Sequence, residues 1–171
     1  MKLIFKTMKE IQLSKHGRNR GKYVALVDDE DYEYLSQWKW HAVKDRSCFY
    51  ARAWIKGKLF SMHRLIMNTP VGSVCDHKDF NGLNCQKYNM RNCNHSQNGM
   101  NKKPRGKSKY LGVYFFIDRK YSNIYKYIRS QIKVDGIIYY LGTSKTEEQA
   151  AKRYDMAAKY YHGKFANLNF K

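Results

Sequence analysis

A chain of 171 residues suffices for one or two small domains, and 15 tyrosines, 8 phenylalanines and 3 tryptophans supply apolar surface for compact cores. Lysine and arginine number 33 against 14 acidic residues, a net charge of +19. The excess is +8 in residues 1–100 and +11 in residues 101–171, which excludes a single basic tail as its source. A polyanion, by default nucleic acid, is the expected partner. No basic amphipathic helix suited to an anionic membrane stands out.

Export and membrane insertion are not expected. The start, MKLIFK, is too short in its apolar part for a signal peptide, and no apolar run approaches transmembrane length. The cysteines form no CxxC pair of the kind that binds structural zinc. Free thiols in a reducing cytoplasm are expected, although a metal bound by some of the four stays open: Cys48, Cys75, Cys85 and Cys93. We therefore expect a cytosolic protein.

The first part of the chain predicts short strands and one helix. Residues 1–21 are basic and lack periodicity, and residues 16–21 suit a polar loop that either touches a phosphate backbone or faces solvent. Residues 23–27 predict a strand. The acids from Asp28 to Asp31 then suit the start of a helix reaching about Gln37, which explains them better than a metal cluster does.

Alternating apolar and polar residues predict three strands, at residues 38–42, 49–54 and 59–62, with a hairpin turn at 56–58 between the last two. The three tryptophans in this region are expected in the core and not as stacking platforms for bases. Basic residues in the same region suit either phosphate contacts or a solvated face: Arg52, Lys56, Lys58 and Arg64.

Residues 74–101 read VCDHKDFNGLNCQKYNMRNCNHSQNGMN and hold the densest set of chemically useful side chains. Residues 74–76 suit a strand end, turn formers make the following segment a loop, and residues 90–93 suit a returning strand. Asn94 is a suitable N-cap for a helix running to about Asn101. In such a unit, Asp76 and His77 would face Asn98 across a narrow cleft.

This set suits metal-dependent hydrolysis of a phosphodiester, which needs a divalent cation on the phosphate and a base that deprotonates water. Asp76 and Asn98 offer hard oxygen ligands for Mg²⁺ or Mn²⁺. His77 is the natural base, because an imidazole with a pKa of about 6.5 is largely neutral at cellular pH. Asn89 can hold the required tautomer through its side-chain carbonyl.

Eleven residues separate His77 from Asn89, and eight separate Asn89 from Asn98. This pattern resembles the HNH endonuclease family, in the branch of phage and intron homing enzymes that ends in Asn. The resemblance implies that His77 is the general base, that Asn89 orients it, and that Asp76 and Asn98 bind the metal. The segment MHRLIMN, residues 62–68, resembles the lead-in of the same branch.

Several assignments stay open beside this one. His95 lies close to Asn98 in the sequence and is an alternative ligand or a phosphate contact. His63 suits a structural or phosphate-binding role, and Arg64 a phosphate contact. In a purely structural alternative, Asp76 and Asn98 only support a loop.

Residues 101–109, NKKPRGKSK, predict a basic linker that lies along DNA through Lys102, Lys103 and Arg105. Three strands are predicted beyond it, at residues 111–116, 125–134 and 137–141, with a tight turn between the last two. One face of the middle strand is apolar. The other face is cationic and hydrogen-bonding, and comprises Tyr127, Arg129, Gln131 and Lys133.

A helix follows the sheet. Thr146 and Gln149 form a capping box, an alanine-rich stripe lets the helix lie close to the sheet, and Gly163 ends it. YLGV, YLGT, TEEQAAKRYDMAA and HGKFANLNF, all within residues 109–171, resemble the DNA-binding domain of plant ethylene-response factors, whose sheet lies in the major groove.

The resemblance implies DNA contacts from four residues of the sheet: Arg129, Gln131, Lys133 and Tyr140. Gln131 stands where that family has Glu, and Tyr140 where it has Trp. Four other positions that usually hold arginine are apolar or aromatic here, so the family's sequence preference does not transfer: Leu111, Tyr114, Phe116 and Ile138.

The sequence thus predicts an α+β protein with a ββα metal-nuclease module in residues 1–100, a linker at 101–109 and a DNA-binding domain at 110–171. The expected function is a homing-type, Mg²⁺- or Mn²⁺-dependent endonuclease of double-stranded DNA, acting as a monomer without an obligate protein partner, from a phage or a bacterial host. The rival is a sequence-specific DNA-binding regulator with an inactive nuclease centre.

Overall fold

The computed structural model describes residues 7–14, 21–120 and 123–170, with the backbone alone for residues 118–120 and 123–125. The architecture is mixed α+β with small antiparallel sheets, as predicted. The chain divides into two compact units, Met1–Asn94 and His95–Lys171. The predicted polar loop at residues 16–21 lies outside the described residues except for Gly21.

The described residues of the N-terminal unit, 7–14 and 21–94, form three antiparallel sheets and two helices. The first sheet pairs β1 with β2, the second has the order β3-β4-β5, and the third pairs β6 with β7. Their bounds are β1 Met8–Gln12, β2 Val24–Asp28, α1 Asp29–Ser36, β3 His41–Asp45, β4 Cys48–Ile55, β5 Lys58–Ser61, α2 Met62–Ile66, β6 Val74–His77 and β7 Met90–Cys93.

The alternation predicted along β4 places small residues in the core. Ala51 and Ala53 are fully buried and join an apolar cluster with Leu35, Trp40 and others. Trp54, one position along on the opposite face, is 69% exposed. The expectation that the tryptophans are core residues is therefore right for Trp40 and wrong for Trp54.

Other expectations for this unit also need correction. Strand β1 was not predicted, because only Ile11 among its five residues is buried and the segment shows no alternation. The strand expected from Trp38 begins only at His41, since Trp40 donates its Nε1–H to the Leu35 carbonyl at 2.8 Å and closes the end of α1. Met62, expected at the end of a strand, begins α2.

The C-terminal unit holds the predicted three-stranded antiparallel sheet and its helix. The middle strand is β9, flanked by β8 and β10. Strand β8 begins two residues later than predicted and ends four residues later, β9 begins two residues earlier, and β10 ends three residues later. The helix ends where expected. The bounds are α3 His95–Met100, β8 Val113–Lys120, β9 Asn123–Val134, β10 Ile137–Ser144, α4 Glu147–His162 and a 3-10 turn at Gly163–Phe165.

Helix α4 packs closely on the sheet through its small residues. Ala150, Ala151 and Ala158 are fully buried. The Thr146 half of the predicted capping box is present, because Thr146 Oγ1 accepts the Gln149 N–H at 3.2 Å. Gln149 Oε1 accepts the N–H of Lys145, the residue before the N-cap, at 3.3 Å. The fit is tight enough that a Cβ at Gly112 would lie 1.9 Å from the Tyr154 ring.

The C-terminal tail is tied to the start of this sheet by a buried carboxylate. Asp155 on α4 accepts the Asn169 and Phe170 N–H groups, both at 2.9 Å. Asn169 in turn accepts the Leu111 N–H at 2.6 Å. No helix in the described parts of the chain is long and apolar enough to cross a membrane.

Candidate functional site

The β6–β7 hairpin positions the first two candidate residues. Asp76 and His77 are the last two residues of β6, and each is only 6% exposed. In the hairpin register Asp76 lies opposite Arg91. The guanidinium of Arg91 binds the Asp76 Oδ2 oxygen through Nε at 2.9 Å and Nη2 at 2.8 Å. The hairpin thus carries a buried carboxylate and a buried imidazole at consecutive positions, and Arg91 compensates the charge of the carboxylate.

Asn89 organises the loop between the two strands. Its Nδ2 donates to Asp79 Oδ1 at 2.9 Å and to the Asn84 carbonyl at 2.8 Å, and its Oδ1 accepts the Asp79 N–H at 3.1 Å. The Asn89 carbonyl accepts the Lys78 N–H at 2.9 Å. Asn89 therefore fixes the two residues that directly follow His77.

Asp79 is the acceptor at the centre of this loop. It accepts the Asn81 N–H at 2.8 Å and the Asn84 side-chain amide at 2.8 Å, besides that of Asn89. Burial raises the pKa of the Asp79 carboxyl, but these hydrogen bonds outweigh it and hold the pKa below its usual range. Asp79 is thus engaged in shaping the loop.

The loop is also bound to the rest of the N-terminal unit. Leu26 on β2 exchanges backbone hydrogen bonds with Leu83 and Cys85, both at 2.8 Å. Asp28, only 1% exposed, accepts the Lys87 N–H at 2.9 Å. A strand and a helix start far away in sequence therefore hold the loop in place.

The acids at the start of α1 form the kind of cluster that can hold a cation. The oxygens of Asp28, Glu30 and Asp31 lie within 4.8 Å of one another. The Lys87 ammonium already lies there, 2.8 Å from Glu30 and 3.0 Å from Asp31. The cluster is thus an ion-paired helix start that anchors the loop, in agreement with the sequence-based interpretation.

Two further rings surround His77. The His63 ring stands edge-on to the His77 ring with 5.1 Å between centroids, and the Tyr50 ring lies 5.9 Å from His77. Burial lowers the pKa of His77, and the nearby carboxylates of Asp79 and Asp76 offset part of this effect. Burial, helped by His77 and two arginines, lowers the pKa of His63 to about 3. Both imidazoles are therefore neutral at pH 7.

Gly82 lets the loop approach these rings. A Cβ at Gly82 would lie 2.5 Å from the Phe49 carbonyl oxygen and 2.6 Å from the Tyr50 ring. The loop therefore lies directly against β4, and only a residue without a side chain fits there.

The four cysteines are free thiols, as expected, and three of them are buried: Cys75, Cys85 and Cys93. Burial raises the pKa of Cys75 to about 11 and raises that of Cys85 further. Among the described residues, no group of metal-binding side chains includes a cysteine. The thiols therefore act as small apolar core residues.

The chain is similar over most of its length to a viral protein. It is 32% identical over 160 residues to an uncharacterized HNH endonuclease of Acanthamoeba polyphaga mimivirus, and the match covers 90% of this chain and 78% of the relative. The chain belongs to the HNH endonuclease family. No family model matches it, and no solved structure does. The match covers parts of both compact units of the HNH chain.

The remaining candidates of the HNH motif lie in the other compact unit. Asn98 and His95 are both on α3, which begins at the first residue of the C-terminal unit. Asn98 is half-buried and His95 is exposed. Within the N-terminal unit, the structure brings together Asp76, His77 and Asn89.

Arg64, a candidate phosphate contact of the HNH chain, is used within the protein. Its guanidinium donates to three backbone carbonyls, those of Ser73 at 2.9 Å, Pro70 at 3.1 Å and Thr69 at 3.4 Å. This geometry favours a structural role, in which Arg64 holds the turn that leads into β6.

The sheet residues predicted to contact DNA divide into two groups. The Arg129 guanidinium lies 3.6 Å from the centroid of the Phe116 ring and 5.5 Å from that of Tyr140. By strand register, Gln131 lies opposite Tyr140 on the same open face. Lys133, at the end of β9, is also one of the residues that line a cavity, together with Lys102. Lys102 is half-buried, whereas Lys103 and Arg105 are exposed.

Sequence reasoning missed Arg91, Asp79 and Tyr50. The hairpin register places Arg91 opposite Asp76, so counting back from the two predicted strands could have found it. Asp79 and Asn81 are a turn signature, and their role as acceptors follows from that. Tyr50 comes from a different sheet, and nothing local in the sequence links it to His77.

Proposed function

We propose that this HNH family member is a metal-dependent endonuclease that hydrolyses phosphodiester bonds in double-stranded DNA. The observation that carries the proposal is the buried Asp76–His77 pair at the end of β6, with the next two residues fixed by Asn89. A carboxylate beside a neutral imidazole supplies both a ligand for a hard cation and a base for water.

In this proposal His77 takes the proton from the attacking water. Its lowered pKa keeps the imidazole neutral and able to accept a proton at pH 7. Asn89 is proposed to orient His77. Its hydrogen bonds to the backbone N–H groups of residues 78 and 79, which directly follow His77, support this role. Asn89 thus acts as a positioning residue.

The donor set fits Mg²⁺ or Mn²⁺, because both prefer oxygen ligands. Asp76 would hold the ion with a carboxylate whose charge Arg91 partly balances. Asn98 is proposed as the second metal ligand, and this assignment rests only on its position in the sequence motif. When bound, the ion would neutralise charge on the phosphate and on the leaving oxygen. By family resemblance the products carry 5′-phosphate and 3′-hydroxyl ends.

The C-terminal unit is proposed to bind DNA as an ethylene-response-factor type domain. The three-stranded sheet with one helix on its opposite face supports this, as do the cation and aromatic rings on the open face. Arg129, Gln131 and Tyr140 are the proposed contacts there, and Lys102, Lys103 and Arg105 those of the preceding segment. We further propose that the protein is a homing enzyme encoded by a phage or a bacterium. It would act as a monomer in the cytoplasm of the bacterial host.

The test is cleavage of supercoiled plasmid with Mg²⁺ or Mn²⁺ by the intact protein, by His77→Ala and by a matched control, His41→Ala. His41 is an exposed histidine of the same unit. Loss of a general base typically costs about 10²–10⁴ in rate. We expect His77→Ala to bind DNA without cutting at a measurable rate, and His41→Ala to cut normally.

The result against the proposal is equally concrete. If the intact protein binds duplex DNA but cuts nothing with either metal, and chelator leaves binding unchanged, the DNA-binding regulator is the right reading. Equal cutting by His77→Ala and by the intact protein would remove His77 from the reaction.

A further inference from the structure

A cavity within the C-terminal unit brings together basic residues that are far apart in sequence. It has a volume of about 330 Å³ and lies among helix α3, the segment after it, the β9–β10 turn and the end of α4. The residues that line it include His95, Lys102, Lys133 and His162, with Asp135 as the acidic residue among them. The segment after α3 is fixed at this point, because the Lys102 carbonyl accepts the Asn167 side-chain amide at 2.9 Å.

The lysines of this cavity repel one another. Burial lowers the pKa of Lys102, and the positive charges of Arg105 and Lys133 lower it further. Among the residues that line the cavity, Asp135 is the one with a carboxylate to oppose these charges, and it sits on an exposed turn. A bound anion would relieve the repulsion and recover the cost of partly burying an ammonium group.

His162 adds an independent sign of a ligand. The side chain is 5% exposed, and its Nε2 lies 3.2 Å from the Lys133 carbonyl. Its Nδ1 is buried and has no hydrogen-bond partner among the described residues. Buried polar atoms are nearly always hydrogen-bonded in native proteins. Because the Lys133 carbonyl can only accept, Nε2 carries the proton, and Nδ1 of the neutral ring is an acceptor that a water in the cavity would satisfy. A bound anion would favour a second proton on the ring, and Nδ1 would then donate to the anion.

We propose that this cavity binds a phosphate group of a nucleic-acid backbone. Two lysines and two histidines around one small space suit a phosphate oxyanion better than a base, which needs an apolar stacking surface or matched hydrogen bonds. Such a contact fixes register and carries no sequence information. The inference rests on the proposed function only in taking nucleic acid as the partner.

The position of the cavity gives the contact a second consequence. Helix α3, which lines the cavity through His95, Ser96 and Gly99, is the same six-residue helix that carries Asn98. A phosphate held here orders the helix that carries the proposed second metal ligand. DNA binding at this cavity would then support catalysis as well as affinity.

The experiment measures duplex DNA affinity against salt for the full chain in chelator, where no cutting occurs. The variants are Lys102→Ala, Lys133→Ala and, as the matched control, Lys152→Ala, which removes an exposed lysine from α4. Both cavity lysines bond through their carbonyls, to Asn167 and to His162, and alanine keeps those carbonyls. Thermal melting checks that all three variants stay folded.

Each phosphate contact contributes about 0.9 to the slope of log K against log salt. We expect Lys102→Ala and Lys133→Ala each to reduce the slope by about that amount on several unrelated duplexes, and Lys152→Ala to leave it unchanged. Inorganic phosphate is the second probe. Added to the metal-free protein, it should shift the imidazole NMR signals of His162 and His95 in the parent, but not in the Lys102→Ala, Lys133→Ala double variant.

Unchanged slopes in both cavity variants, or an equal change in Lys152→Ala, would overturn the proposal. So would an effect confined to one DNA sequence, because a phosphate contact is independent of sequence. Shifts by phosphate with no effect of the lysines on duplex binding would mean a site for free phosphate and not for DNA. Failure of the nuclease proposal is distinguishable, because it appears in cleavage with metal and leaves these metal-free measurements intact.

Discussion

The two compact units place their important side chains in opposite ways. In the N-terminal unit the candidate catalytic residues Asp76, His77 and Asn89 are buried and bound into a network. In the C-terminal unit Lys133 is exposed and Tyr140 is 57% exposed. Chemistry needs a fixed geometry shielded from water, whereas binding a long polyanion needs exposed groups. Substitutions in the buried network of the first unit should therefore affect folding and the rate of cutting together, and substitutions on the open sheet face of the second unit should affect affinity alone.

The largest expected effect comes from Arg91→Ala. Removing one partner of a buried ion pair leaves an uncompensated charge, here on Asp76, and typically costs about 3–5 kcal/mol. We expect a loss of this size in the free energy of unfolding, measured by urea denaturation without metal. Arg91→Lys, which keeps the charge but not the paired donors, serves as the control and should lose less.

Added Mg²⁺ or Mn²⁺ sharpens this test. A cation on Asp76 would replace the lost charge, so the metal should stabilise Arg91→Ala more than the parent. Equal stabilisation of both proteins would count against Asp76 as a metal ligand.

An intermediate effect is expected from acid. The pKa of His63 falls from 6.5 in the unfolded chain to about 3 in the folded protein, so below pH 6.5 the unfolded state binds the extra proton. The contribution of His63 to stability is full above pH 6.5 and is lost as the pH falls toward 3, with a slope approaching about 1.4 kcal/mol per pH unit. Urea denaturation between pH 4 and 7 measures it.

The control for this prediction is His63→Phe, which keeps an aromatic ring of similar size beside His77 and Tyr50. The acid limb should be shallower in this variant than in the parent. Parallel limbs in the two proteins would mean that His63 is protonated as easily in the folded state as in the unfolded one.

The smallest effect is expected from Arg129→Ala on the open face of the sheet. Loss of this one proposed DNA contact should weaken duplex binding by about 1 kcal/mol and leave the single-turnover cleavage rate at saturating protein unchanged. Lys159→Ala, which removes an exposed positive charge from α4, is the comparison. A lower saturated rate in Arg129→Ala would break the division between the two units.

The sequence predicts best where local rules decide the structure. The Asp135-Gly136 turn, the Thr146 cap and the alanine stripe of α4 depend on neighbouring residues, and all are present. The β6 and β7 strands follow from the loop formers between them. Strand β1 was not predicted because its residues are mostly polar and show no alternation. It is a strand because its backbone pairs with β2.

The candidate site was predictable as a set of residues but not as a set of contacts. The spacing of His77 and Asn89 indicated a shared role, yet the bonds of Asn89 to Asp79 and Asn84 depend on the path of the loop. Tyr50 reaches His77 only because Gly82 allows the loop to lie against β4. Such long-range proximity is set by tertiary packing and leaves no local signal.

The buried thiol of Cys85 allows the opening of this loop to be measured as a rate. Cys85 is fully buried, and its raised pKa keeps it protonated, so a thiol reagent reaches it only when the segment that follows Asp79 lifts away from β2. Its modification rate therefore reports how often the surroundings of His77 open. The loop holds the proposed base, His77. The time between two openings is therefore the longest time for which the catalytic centre around His77 stays assembled.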